Sequence, residues 1–348
     1  MPGKYKALSR HKIPFQIELT NEAVQWLMCI AETTPFLDES LSSPLEVKLL
    51  RKAKIRAITY SNQIEGNALG ESEVTAVLRG QRVAGPPKDV KEARNYHAAL
   101  DYVETLATDP RPLKVADMCD IQRLVTAGTI AEKMSGRIRT VPVSIVNAAN
   151  GSVLADCPEP HALKDLLDDL WSWLEETAGS NPFLRAFAFH FIAVSIHPFA
   201  DGNGRTMRLM QHLLLLRSGV RLARFVPSET AIMRQRDRYY SVIRQSQALG
   251  SLRPVVEFLA ECFALSAAEV VEDGRRLLKE SAGKTPEGRR KRLLRFAKNK
   301  QRFSMQDIVA WMPGVPRRTL ERDVAALVKA KALTGTGKNK ARTYRVKG

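Results

Sequence analysis

Residues 197–208 read HPFADGNGRTMR, and they interrupt two apolar runs, FLRAFAFHFIAVSI at 183–196 and LMQHLLLLRSG at 209–219. The runs read as two core helices, so the chain sets a very polar stretch between buried elements. A helix–loop–helix turn with a solvated surface would be the plain reading. The residue types point to more. Pro198 biases its predecessor away from the α region, which puts His197 at a helix exit, where an imidazole of ordinary pKa near ~6.5 accepts a proton at neutral pH. Asp201 offers a hard oxygen of the kind Mg²⁺ takes beside phosphate oxygens. Gly202, Asn203 and Gly204 open the next helix. Glycines let backbone N–H groups approach a ligand closely, and a helix start favours an anion. Arg205 and Arg208, three apart, project from one side of that helix's first turn and can fork onto phosphate oxygens.

A base, a magnesium ligand, an anion cradle and two phosphate clamps thus fall within twelve residues. A lone histidine beside an apolar helix, or a Gly-Asn-Gly turn by itself, would be structural. Their coincidence specifies transfer chemistry on a nucleotide.

Outward from this loop the chain reads as mainly helical. Leu163, Leu166, Leu167, Leu170, Trp171 and Leu174 recur at helical spacing. TVPVSIVNAANGSVLA, residues 140–155, breaks the pattern. Val141, Val143 and Ile145 alternate, an Asn/Gly-rich loop follows, and a second β-prone run comes after, which is a hairpin signal. The charged segment KESAGKTPEGRRKR (279–292) marks a domain boundary. Beyond it, FSMQDIVAWM predicts a short helix, PGVP a turn and RRTLERDVAALVKAKAL a second helix. TGTGKNK then joins that helix to a strand, ARTYRV. This is the order of a winged helix-turn-helix.

At 348 residues the chain can bury a core in more than one domain, and 44% hydrophobic with 26% charged residues is ordinary globular composition. MPGKYKALSRHKIPF has no apolar stretch behind its basic residues, and no long apolar run occurs elsewhere. The expectation is therefore a cytoplasmic protein without a membrane span. Cys29, Cys119, Cys157 and Cys262 form no CxxC pair and read as free buried thiols. The net charge of +17 is uneven: residues 281–348 hold 19 Lys/Arg against 4 Asp/Glu, and the rest holds 35 against 33. The basicity belongs to the tail.

HPFADGNGRTMR resembles the full signature of the Fic family, His-Pro-Phe-x-Asp/Glu-Gly-Asn-Gly-Arg-x-x-Arg, with every fixed position matched. The resemblance implies a mainly α fold, a Fic-type helical bundle with a β-hairpin flap. It also implies an enzyme moving AMP from ATP to a hydroxyl side chain of a target protein, with Mg²⁺. In that scheme His197 is the base and Asp201 the metal ligand. Asn203 and the amides about Gly202 and Gly204 steady the α-phosphate, while Arg205 and Arg208 bind the β and γ groups. GRIRTVPVSIV with its hairpin resembles the flap that holds the target by β-augmentation. RYYSVIRQSQALGSLRPVVEFLAEC resembles the segment after the core, so Tyr239 and Tyr240 would line the adenine pocket, with Gln247 where a frequent adenine-side asparagine stands. His190 reads as structural, two helical turns from the loop.

Near the N-terminus TYSNQIEGNAL sets Ser61 and Glu65 on one helix face with Gly66 just after. It is similar to the family's inhibitory motif, Ser/Thr-x-x-x-Glu-Gly/Asn. That likeness implies a Glu65–Arg208 ion pair that denies the γ-phosphate its donors, or a glutamate that assists AMP removal. The expected domains are 1–95, an N-terminal helical region with this motif; 96–275, the catalytic core; and 284–348, a small C-terminal winged helix-turn-helix. Arg317, Arg318 and Arg322 near its second helix, with Lys338, Lys340 and Arg342 near its wing, make DNA a candidate partner beside the target protein and a second copy of the chain. Two alternatives stay open: a DNA-binding transcription regulator whose body senses a nucleotide, and transfer of another group such as UMP or phosphoryl.

Overall fold

A computed structural model describes residues 20–40, 43–146, 153–282, 285–298, 300, 302–312, 314–337 and 342–346. The basic N-terminal stretch, the hairpin loop at 147–152, and Lys338 and Lys340 lie outside these residues. The chain divides into two compact units, Met1–Val271 and Glu272–Gly348.

In the first unit the described helices run α1 (Asn21–Ser40), α2 (Ser43–Ile64), α3 (Glu71–Leu78), α4 (Pro87–Thr108) and α5 (Val115–Thr126). A hairpin of β1 (Ser144–Val146) and β2 (Val153–Asp156) follows. Then come α6 (Leu163–Glu176), α7 (Pro182–Ile196), α8 (Asn203–Arg217), α9 (Glu229–Arg234), α10 (Arg236–Leu249) and α11 (Arg253–Ala282), whose residues from Glu272 onward belong to the second unit. Helix α4 runs unbroken through the 95/96 boundary expected from the sequence, so the N-terminal region and the core meet inside one helix.

Helix α8 is the axis of this unit. It packs on α7 and is flanked by α2, α4 and α5. Helix α7 is buried nearly all round, as an apolar helix without a polar face must be, and α8 buries Asn203, Arg205 and Arg208 of its first turns along with its leucines. Asn181 caps α7 by accepting from Phe183 N at 3.0 Å and Leu184 N at 3.3 Å, with Pro182 in the first turn where its missing N–H costs nothing. Helix α6 is one-sided instead. Its expected apolar positions are buried, and Trp171 meets Phe189 of α7 edge to face at 5.6 Å.

Strands β1 and β2 pair antiparallel, Ser144 opposite Asp156, with a bulge between Ile145 and Val146. Pairing therefore begins later than the alternation from Val141 predicted. The reason is local: the Val141 carbonyl is taken by the Arg139 guanidinium at 3.1 Å.

The second unit holds α12 (Pro286–Lys298), β3 (Phe303–Ser304), α13 (Met305–Trp311), α14 (Arg317–Lys329), β4 (Leu333–Thr336) and β5 (Thr343–Val346), its sheet ordered β3-β5-β4. Three sequence expectations change here. The 279–292 segment is helical on both sides of 283–285, because Leu293, Phe296 and Ala297 pack into the unit's core and buried Arg289 pairs with Asp323 at 2.6 Å. Phe303 and Ser304 form a strand against Tyr344 and Thr343; the helix starts only after Ser304, which caps it by accepting from Asp307 N. TGTG is no mere linker: Thr334, Gly335 and Thr336 pair with β5.

All four cysteines are free, yet only Cys157 and Cys262 are buried; Cys119 is half-buried and Cys29 exposed. Among the described residues no helix is long and apolar enough to cross a membrane.

Candidate active site

The α7–α8 loop is held in shape by its own side chains. His197 closes α7 in the left-handed region (φ 52°, ψ 58°), its N–H bonded to Ala193 O at 3.1 Å. A non-glycine residue there stores strain that the surroundings must hold, a recurrent feature of functional sites. Its Nδ1 lies 3.3 Å from the Val194 carbonyl. A carbonyl accepts only, so Nδ1 carries the proton and Nε2 keeps a free lone pair. Burial pushes the imidazole below its ordinary pKa, helped by Arg139 and opposed by the Val194 carbonyl, Glu65 and Asp201. At neutral pH His197 is a neutral base.

Both ends of the Asn203 carboxamide serve Phe199: Nδ2 donates to Phe199 O at 2.8 Å and Oδ1 accepts from Phe199 N at 3.0 Å, so the side chain staples the loop. Gly202 takes φ 78°, and a Cβ there would meet Thr126 Cγ2 at 2.8 Å, so only glycine fits. A Cβ on Gly204 would collide with Glu65 Oε1. From outside, Gln122 of α5 donates to Asp201 O at 2.9 Å.

The two arginines diverge. Arg208, 1% exposed, donates from Nη2 to Glu65 Oε1 at 2.7 Å and to Ser61 O at 2.9 Å, and from Nε to Ser61 Oγ at 2.8 Å. Burial would raise the Glu65 carboxyl, but Arg208, aided by Arg205 and His197, holds it below the usual range. Arg208 Nη1 is buried without a hydrogen-bond partner and lies beside Gly204. A buried guanidinium nitrogen with an unused donor is costly unless something comes to meet it. Arg205 is turned toward carboxylates, 3.1 Å from buried Glu92 Oε1 of α4 and 3.6 Å from Asp201 Oδ1, while its Nε and Nη1 are buried without a hydrogen-bond partner. Glu92 also accepts from Asn67 Nδ2 at 2.9 Å, which ties the loop to the turn after Glu65. Gly66, at φ 97°, makes that turn.

Tyr239 lies behind the loop. Only 2% exposed, its hydroxyl bonds His190 Nε2 at 2.8 Å, and burial pushes that imidazole down to about 3. Tyr239 and His190 form a core pair behind Arg208. Tyr240 is half-buried and donates to Ile64 O at 3.3 Å, a carbonyl that Arg236 Nε also meets at 2.7 Å. Gln247 Nε2 donates to Ser195 Oγ at 3.1 Å.

Arg139 has no motif spacing to reveal it. Its backbone N–H bonds Pro198 O at 2.9 Å and its Nε bonds His197 O at 2.8 Å, while Nη1 and Nη2 take Val141 O and Pro158 O. One buried guanidinium joins the His197 loop to both feet of the hairpin. Its place in GRIRTV, just before the alternating run, was the one available hint. Glu92 and Gln122 lie far along the chain and gave none.

Asp201 keeps one oxygen occupied by Gly202 N at 2.6 Å, and its side chain is 46% exposed. Among the described residues no three His, Cys, Asp or Glu side chains are grouped so that they could hold a metal ion. A hard cation at Asp201 would thus draw its other ligands from phosphate and water, the habit of Mg²⁺.

Comparison with known proteins follows this geometry. Residues 112–215 match the Fic/DOC family. The chain is 31% identical over 221 residues to the protein adenylyltransferase fic-1 of Caenorhabditis briggsae, covering 62% of this chain and 40% of that one. It is 30% identical over 223 residues to the protein adenylyltransferase Fic of Nematostella vectensis, 62% and 48% respectively. The chain thus spans less than half the length of the curated relatives it matches. A crystal structure of a Fic family protein from Desulfovibrio desulfuricans G20 superimposes with TM-score 0.66 at 26% identity, over 96% of this chain and 98% of that one. The Caenorhabditis elegans Fic-1 fragment shares the fold, with TM-score 0.59 at 24% identity over 73% and 74%. The similarity to the Fic/DOC family thus rests on a domain at residues 112–215 and on a shared fold.

Proposed function

We propose that the chain is a self-inhibited protein adenylyltransferase that moves AMP from ATP to a Ser, Thr or Tyr hydroxyl of a target protein, and to its own chain, releasing pyrophosphate. The observation that carries the reading is the neutral His197, its Nε2 lone pair free, beside a helix start whose buried Arg208 has an unused donor. His197 Nε2 takes the proton of the target hydroxyl as that oxygen bonds to the α-phosphorus. The bond to the bridging oxygen breaks, and the electron pair leaves with pyrophosphate. The N–H groups at the start of α8 face the phosphates, and Arg208 meets the γ group once released from Glu65. Asp201 would hold Mg²⁺, which when bound neutralises phosphate charge. Positioning and preset electrostatics supply the rate, as phosphorus chemistry requires.

Glu65 is the brake. While it holds Arg208 it sets a carboxylate beside Gly204, where a phosphate would lie. The same carboxylate is placed to orient water for AMP removal. The hairpin would seat the target strand. A nucleotide sensor would not need a base with a chosen tautomer, which favours the enzyme. The second unit's order of helix, strand, helix, helix and hairpin supports a winged helix, with DNA as its partner.

ATP labelled at the α-phosphate tests this. Label should enter wild-type protein weakly, rise at least about tenfold in Glu65→Gly, and vanish in Glu65→Gly/His197→Ala. Equal labelling of wild type and Glu65→Gly removes the brake. Label from the γ-phosphate alone would make the reaction a phosphoryl transfer from ATP, with ADP as the leaving group.

A further inference from the structure

A cavity of about 250 Å³ opens between α2, α4, α8 and the segment leading into α9, away from the His197 loop. Leu100, Leu209 and Val226 give it apolar walls. At its mouth stand Arg51 and Arg224, both exposed and neither in a hydrogen bond or ion pair among the described residues. Lys54 is already engaged by Asp101, and Glu104 is the acid at the rim. The deep end is Tyr96 and Glu229, 0% and 7% exposed, the tyrosine hydroxyl 3.3 Å from Glu229 Oε1.

That deep end touches the inhibitory apparatus. The Tyr96 hydroxyl neighbours the Ser61 hydroxyl, which accepts from Arg208 Nε at 2.8 Å. Helix α9, which begins at Glu229, packs along α2, the helix that ends just before Glu65. A concave apolar chamber with two uncommitted guanidinium groups at its mouth has the build of a small-molecule site. We propose that this cavity is a second ligand site, for a small anion with an apolar body, coupled through Tyr96 and Ser61 to the Arg208–Glu65 pair. The body lies among the leucines and the anion meets Arg51 and Arg224. The cavity is formed while the pair is closed. A ligand that selects this arrangement stabilises it by mass action and tightens the brake. Linkage then demands the reverse: nucleotide that takes Arg208 from Glu65 weakens the anion.

The coupling rests on the adenylyltransferase reading, but its test reads binding alone. Phenyl phosphate is titrated calorimetrically into the full chain, with benzylamine as the cationic control. Saturable one-site binding of the anion below about 10 mM, and none of the amine, is expected. Arg51→Glu/Arg224→Glu, exposed at the rim and checked for unchanged Tm, should weaken it at least about tenfold. Saturating ATP with Mg²⁺ should weaken phenyl phosphate at least about threefold in wild type and leave it unchanged in Glu65→Gly. No saturable binding, or binding indifferent to the charge reversal, overturns the site. ATP weakening the anion equally in both backgrounds is direct competition and overturns the coupling, whether or not the enzyme transfers AMP.

Discussion

Two buried arginines three residues apart carry the same charge and different work, because their partners differ. Arg208 meets Glu65, whose side chain is 31% exposed; Arg205 meets Glu92, 7% exposed, inside the core, and both guanidinium groups retain a donor without a hydrogen-bond partner. Removing Arg205 takes the buried cation from Glu92 and leaves it only Asn67 Nδ2 at 2.9 Å and the exposed Lys88 Nζ at 3.7 Å, a loss of up to about 3–5 kcal/mol. Arg205→Ala should therefore lower the unfolding midpoint sharply, and Arg205→Ala/Glu92→Gln should recover much of it. Denaturant unfolding checks this, and an unchanged midpoint for the single variant would make Arg205 a free ligand after all. His197 gives a pH signature at the same scale. Its depressed pKa means the base stays neutral as pH falls past the ordinary histidine value near ~6.5. Glu65 raises that pKa, so removing it depresses the imidazole further. In Glu65→Gly the acidic limb of kcat/KM should lie below ~6.5, and lower than in Glu65→Asp. A limb at or above that value would mean an exposed base. The residues of this loop were legible as types, since glycines, a proline and charges leave their mark on sequence. Which way each turned was not: Asn203 and Tyr239 face inward because Phe199 and His190 wait for them there, and nothing local encodes those partners.

Elements were legible where one periodicity ruled. Helix α6 has its apolar stripe where the spacing of Leu163 to Leu174 predicted it, and α7 ends at the residue before Pro198 biases the chain away from helix. The hairpin was legible in kind and displaced in register, since Arg139 draws off the Val141 carbonyl. That guanidinium couples two elements with different tasks, the loop that would do chemistry and the hairpin that would seat the target. Its loss leaves the carbonyls of His197, Val141 and Pro158 without this donor, at about 1–3 kcal/mol for each one that stays buried. Arg139→Lys keeps the charge but cannot span the three acceptors. In the Glu65→Gly background it should cut transfer to a protein target at least about tenfold, with ATP affinity changed less than about twofold. Equilibrium nucleotide binding beside the labelling rate separates the two. A parallel fall in both would place Arg139 in nucleotide binding instead of in the seating of the hairpin.

Across the whole molecule, charge divides as the packing does. The second unit, Glu272–Gly348, has its own core of Leu293, Phe296, Ile308, Leu320 and Val324, and the Lys/Arg excess of the chain is concentrated there. On α14, Leu320, Asp323, Val324 and Leu327 turn inward, which leaves Arg317, Arg318 and Arg322 exposed; only Arg317 has a carboxylate of its own helix, Glu321, at 2.9 Å. Exposed cations on one short helix cost self-repulsion that a phosphate backbone would relieve. Each phosphate neutralised releases condensed counterion, so affinity for duplex DNA should fall steeply with salt, by a log–log slope of roughly −0.9 per contact. Arg317→Glu/Arg318→Glu/Arg322→Glu in the full chain should flatten that slope by two to three such steps, roughly −0.9 each, and weaken binding at about 50 mM salt at least tenfold. The same triple variant on the Glu65→Gly background should label itself from ATP at an unchanged rate, because the proposed transfer uses only residues of the first unit. An unaltered salt slope would leave the tail's charge to solvent. A labelling rate that fell with the DNA affinity would instead tie the two units to one activity.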